Sequence, residues 1–133
     1  MVIDKPGCGE GYLVEDAGVA RRIVLDFTKK GYRGVYLFKG SPHFFIESIF
    51  SLRMDGISLR TITHEMVTLL REERSILLFD GASFLAEEEG DALKFFCLLK
   101  DQALVSGSCF ILYVENTPER WHTFLERELV RVV

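Results

Sequence analysis

The sequence predicts an α/β protein, a three-layer sandwich with a mostly parallel sheet of about five strands and helices on both faces. Three observations carry this. The apolar runs at Ser75–Gly81 and Cys109–Val114 have strand length and no polar alternation, as expected of strands buried on both faces of a parallel sheet. Strand-like and helix-like segments alternate along the chain, so consecutive strands are joined by crossovers rather than tight turns. Finally, 133 residues, 48% hydrophobic and 27% charged, suit one compact domain spanning 1–133 with a sizeable core.

Taken in order, Gly11–Val14 is a short first strand. Ala20, Ile23, Val24 and Phe27 then recur at helical spacing, with Arg21, Arg22, Asp26 and Lys29 outward, until Gly31 stops the helix. Gly34–Phe38 is the second strand and completes a βαβ unit, whose crossover should be right-handed. Ser41-Pro42 is able to open a short helix through Phe44 and Ile46, and Ile49–Arg53 reads as a third strand. Past the connection Met54–Leu59, a helix presents Ile62, Met66, Leu69 and Leu70 on one face and feeds the central strand at Ser75. Ala82–Ala86 follows, then the acidic Glu87-Glu88-Glu89, favoured by the dipole at the start of a long helix from Asp91 to Val105. Gly107 ends that helix, and Thr117-Pro118 pairs an N-cap with a first-turn proline to start the last one, with Trp121, Phe124, Leu125 and Leu129 inward. Val130–Val133 is a short edge strand or a frayed end.

A net charge of −4, with Lys and Arg spread thinly, argues against broad affinity for nucleic acid or anionic membrane, since phosphate binding draws on clustered cations. No segment approaches the roughly 20 apolar residues of a membrane span, and the first residues lack the basic start and apolar core of a signal peptide. A cytoplasmic protein without membrane insertion is expected. Cys8, Cys97 and Cys109 are odd in number and far apart, suggesting neither a disulfide framework nor a Cys-x-x-Cys site.

In a parallel sheet, ligands bind beyond the carboxyl ends of the strands. The residues arriving there are Glu15 and Asp16, Lys39, Asp80 and Gly81, and Glu115 with Asn116, so carboxylates dominate that edge. A phosphate-binding loop needs Gly-rich backbone after the first strand and a Lys-Ser or Lys-Thr pair opening the helix. Here the segment is Glu15-Asp16-Ala17-Gly18-Val19-Ala20-Arg21-Arg22, with acids where the anion would sit. Neither nucleotide nor any other cofactor is therefore expected. The paired acids and Asp80 also resemble a receiver-type pocket, in which carboxylates hold magnesium beside a phosphorylatable aspartate, making Asp16 and Asp80 the metal candidates. Ser41 and Ser83 have no evident His partner, and His43, His64 and His122 lack the spacing of zinc ligands, so all three are expected in surface or packing roles.

Ile76-Leu77-Leu78-Phe79-Asp80-Gly81-Ala82-Ser83-Phe84-Leu85, the stretch from Ala92 to Asp101, and Leu125-Glu126-Arg127-Glu128-Leu129 resemble the archaeal domain-of-unknown-function family 835. The resemblance covers most of the chain. It implies an archaeal source and a degenerate relative of RecA-like and KaiC-like phosphate-loop ATPases, with a RecA-like sheet and no established activity. Fold ancestry does not carry activity with it.

Two functional expectations follow. The first is a non-catalytic regulatory or protein-interaction domain, working through a protein partner or as a homodimer. The alternative is a magnesium-dependent enzyme or receiver-like phosphoacceptor using Asp80. For the first, the interaction candidates are Phe44 and Phe45, which point in different directions on a helix, and Phe95 and Leu98, which with Val105 widen the apolar arc of the long helix beyond the inward stripe Leu93, Phe96, Leu99 and Ala103.

Overall fold

The computed structural model describes residues 2–3, 11–81, 89–115 and 119–132. Seven strands form one sheet: β1 (Val2–Ile3), β2 (Gly11–Val14), β3 (Arg33–Phe38), β4 (Phe50–Arg53), β5 (Ser75–Asp80), β6 (Cys109–Tyr113) and β7 (Val130–Val132). Their order is β1-β7-β2-β6-β5-β3-β4, and every neighbouring pair is parallel. Four helices are described, α1 (Ala17–Lys29), α2 (Leu59–Glu72), α3 (Glu89–Val105) and α4 (Glu119–Glu128). The predicted three-layer α/β sandwich is the observed architecture. No described helix is long and apolar enough to cross a membrane.

Side chains alternate across the sheet and divide the core into two layers. Tyr12, Val14, Tyr36, Phe38, Ile76 and Leu78 face α1, whose Ala20, Ile23, Val24 and Phe27 are buried as their spacing predicts. Leu13, Leu37, Leu77, Phe79, Phe110 and Leu112 face the other way, toward α2, α3 and α4. β5 and β6 are buried at every position, because they lie inside the sheet and are covered on both faces.

The division of labour between the faces follows from topology. The connections β2 to β3 and β3 to β4 run toward the β4 edge, and their buried residues lie on the α1 face. Those from β4 to β5, β5 to β6 and β6 to β7 run back, and α2, α3 and α4 lie on the opposite face. Crossovers of a single hand require this, since reversing direction along the sheet reverses the face that a right-handed connection covers. Among the described helices α1 alone covers this face, and the β3–β4 connection adds Phe44 and Ile46 to it.

That connection is where expectation and structure part. Residues 39–49 form bends and a turn with no helix, so Phe44 is free to turn inward and is a core residue, leaving the adjacent Phe45 outside at 77% exposure. Phe95 is likewise a core residue, edge-on to the Phe79 ring with centroids 5.4 Å apart. α3 buries a wider arc than one sheet contact needs because it also packs on α2. Phe44 and Phe95 are thereby withdrawn as interaction candidates, while Phe45 and Leu98 remain exposed. Val130–Val132 is an inner strand, paired with both β1 and β2, and not an edge or a frayed end. Cys97 and Cys109 are free thiols. The expectations placed on Cys8, Ala82–Ala86, Glu87-Glu88, Asn116, Thr117-Pro118 and Val133 fall outside the described residues, as does the side chain of Leu93.

Helices α1 and α3 end where glycine permits a left-handed turn, at Gly31 (φ 95°) and Gly107 (φ 77°). Gly34 has a different role. A Cβ there would stand 2.1 Å from Cγ2 of Ile49, so the missing side chain is what lets the β3–β4 connection close onto β3. Gly34→Ala is expected to destabilise the fold by about 1–3 kcal/mol through overpacking, and Ile49→Ala in the same chain to recover part of the loss. Denaturant melts of the two single variants and the double variant measure this; strictly additive losses would show that the two positions do not compete for space.

Candidate functional site

At the carboxyl edge of the sheet, neighbouring strands send their connections to opposite faces between β3 and β5 and between β2 and β6. Such switch points open crevices in doubly wound sheets. Asp80 ends β5 at the first of them, in register with Tyr113 of β6, which places it on the α1 face.

Asp80 is completely buried. Its Oδ2 accepts the phenol hydrogen of Tyr36 at 2.7 Å and lies 2.5 Å from Nδ1 of His43. The backbone N–H of His43 donates to the Tyr36 oxygen at 2.9 Å, so the three residues form a closed ring of hydrogen bonds. With the carboxylate accepting, Nδ1 carries the hydrogen of this bond, on a side chain that is 43% exposed. The Phe44 ring caps the cluster edge-on to both Tyr36 (5.3 Å) and Tyr113 (4.9 Å).

Burial pushes the Tyr36 phenol far above the ordinary tyrosine range, and its bond to Asp80 pushes it further. The Tyr113 phenol is raised for the same first reason, then by its hydrogen bond to Glu115 and by the charges of Glu115, Asp80 and Asp16. The acids expected along this edge therefore do converge, around Tyr113. They are nonetheless differently engaged. Asp16 is the N-cap of α1, its Oδ1 accepting the Val19 N–H at 2.9 Å, and Glu15 is bridged to Arg131 of β7 at 2.8 Å.

The two metal candidates thus fare unequally. The Asp16 carboxylate serves the first turn of α1, whereas Asp80 keeps one oxygen, Oδ1, buried and without a hydrogen-bond partner among the described residues. No group of three or more His, Cys, Asp and Glu side chains is placed to hold a metal ion among the described residues. The described partners of Asp80 are Tyr36 and His43. The sequence, which gives His43 a surface or packing role, does not join it to Asp80, 37 residues away; the Ser-Pro bend after β3 brings it back over the sheet.

Asp80→Ala is expected to cost about 2–4 kcal/mol, because it strips a buried phenol of its acceptor, and Asp80→Asn to cost less, because the amide oxygen still accepts. Thermal melts of the two variants check the order. The raised phenols set a pH dependence as well. A folded state that holds its phenol protons more tightly than the unfolded chain keeps that stability in full below the ordinary tyrosine value of about 10, and loses it as pH rises above that value. Melts from about pH 8 to pH 11 should show a decline beginning near pH 10. Tyr36→Phe should make that decline shallower.

No protein-family model matches the chain, and no curated protein matches it. What the crown does must follow from its own geometry.

Proposed function

We propose that this chain is a non-catalytic regulatory or protein-interaction domain, built on a RecA-like scaffold without the phosphate loop. The supporting observation is at the start of α1. A helix N-terminus binds phosphate through free backbone amides and the positive end of its dipole. Here the Asp16 carboxylate already takes the Val19 amide, and the Ala20 amide closes on the Asp16 carbonyl, so the helix carries its own anion. A phosphate approaching it would meet Asp16 and Glu15 instead of a lysine. The all-parallel sheet is consistent with RecA-like ancestry, and the ring around Asp80 gives the old ligand edge a structural use.

A second reading, a magnesium-dependent enzyme or phosphoacceptor using Asp80, draws on one observation, the unpartnered buried Oδ1. A cation would satisfy that oxygen. Against it, a phosphoacceptor has to be reached by a phosphoryl donor, and this carboxylate is completely buried and holds Tyr36 and His43 on its other oxygen.

Calorimetry distinguishes the two. Neither ATP nor GTP should form a micromolar complex, with or without magnesium, and magnesium alone should give no heat that Asp80→Asn removes. A micromolar nucleotide complex, or magnesium binding abolished by Asp80→Asn at unchanged melting temperature, would transfer the function to the second reading.

A further inference from the structure

β4 is the last strand of the sheet, and no described residue pairs with its outer side. Which of its backbone groups face outward follows from one bond. The Met54 N–H donates to the Phe38 carbonyl at 2.8 Å, so residues of that parity, Phe50, Leu52 and Met54, direct their backbone toward β3. Ser51 and Arg53 direct theirs to solvent. An open edge is usually guarded by charge, proline or a bulge. The only charged residue of β4 is Arg53, whose guanidinium is turned back onto the Gly40 carbonyl (2.8 Å), Asp55 and the Phe38 ring.

Apolar surface collects at this same edge. Of the five large hydrophobic side chains exposed among the described residues, Phe50 opens β4, and Phe45 and Ile57 lie in the segments just before and after it. On the α2 face, next to Leu52, lies a groove of about 340 Å³ whose apolar wall is Leu52, Met54, Ile57, Ile62, Met66 and Leu69, with Thr61, Glu65, Thr68 and Glu72 along its α2 side. Phe50, two residues before Leu52 and on the same face of β4, is 61% exposed. The surface thus offers an aromatic knob and an apolar hole side by side, which one copy cannot match to each other but two copies related by a two-fold axis can.

We infer that β4 is a homodimer edge, pairing antiparallel with β4 of a second copy about an axis through Ser51. With Ser51 facing its counterpart, the outward backbone groups of the two strands exchange hydrogen bonds at that pair, as the parity requires. Phe50 then stands opposite Leu52 of the other copy, in a close non-hydrogen-bonded pair on the α2 face, over the mouth of the groove. The match occurs twice by symmetry. The register with its axis at Leu52 also keeps apolar residues together, Leu52 with Leu52 and Phe50 with Met54, whereas a one-residue slip would put Phe50 opposite the other face. A stable interface uses about 800 Å² per partner, more than a four-residue strand supplies, so the groove walls must contribute and the dimer belongs to the weaker class.

This deepens the interaction-domain reading by naming its partner as a second copy, and its test uses neither nucleotide nor metal, so the failure of one is distinguishable from that of the other. The whole chain is examined by sedimentation velocity across micromolar concentrations. A monomer–dimer equilibrium is expected. Phe50→Lys should raise its dissociation constant by about a hundredfold or more, since each substitution enters the interface twice. Ser51→Pro removes an outward N–H that β3 does not use, and should have the same effect. Leu98→Asp, at an exposed site on α3, should leave it unchanged, and circular dichroism melts verify that each variant is folded. A strict monomer overturns the inference, as does a dimer that survives both β4 substitutions or dissociates with Leu98→Asp.

Discussion

A parallel strand pair cannot be closed by a tight turn, and most of this architecture follows from that constraint. Each strand has to be followed by a crossover, and crossovers of one hand change face when the chain changes direction along the sheet. With β2 and β3 lying at opposite sides of the β6–β5 pair, the chain travels outward once and returns through three helices. The sheet is therefore covered unevenly, by α1 on one face and by α2, α3 and α4 on the other.

The β3–β4 connection makes up the difference. Phe44 and Ile46 fill the gap beside α1, and Gly34 leaves the space that Ile49 needs. The ring formed by Asp80, Tyr36 and His43 then ties that connection to the end of β5. A charged acceptor in a dry site strengthens its hydrogen bonds, and the same dryness makes each of them costly to lose. The site that looks most like chemistry in the sequence thus also has a mechanical task, holding in place the segment that precedes the exposed β4 edge.

The two ends of this arrangement differ in kind. Along the carboxyl edge the acids are engaged by backbone, phenol, imidazole and guanidinium groups, and Asp16 fills the place at α1 that a phosphate would take. Along β4 the backbone and the large apolar side chains remain open.

The sequence by itself determined the class of fold, because apolar run length and helical spacing are local properties: Ser75–Asp80, Cys109–Tyr113 and the inward stripe of α1 lie where those patterns place them. It also exposed the missing phosphate loop, since a helix start is read from consecutive residues. Tertiary structure alone decided the rest. Val130–Val132 became an inner strand because β1, only two residues long, carries too little pattern to announce itself. Phe44 and Phe95 went inward, and Phe45 stayed out, according to what packs against residues 39–49 and α3. His43 reached Asp80, and Leu52 came to line a groove with α2, through contacts between separate segments of the chain. No local periodicity encodes such contacts, because they depend on the order in which the strands are laid down in the sheet.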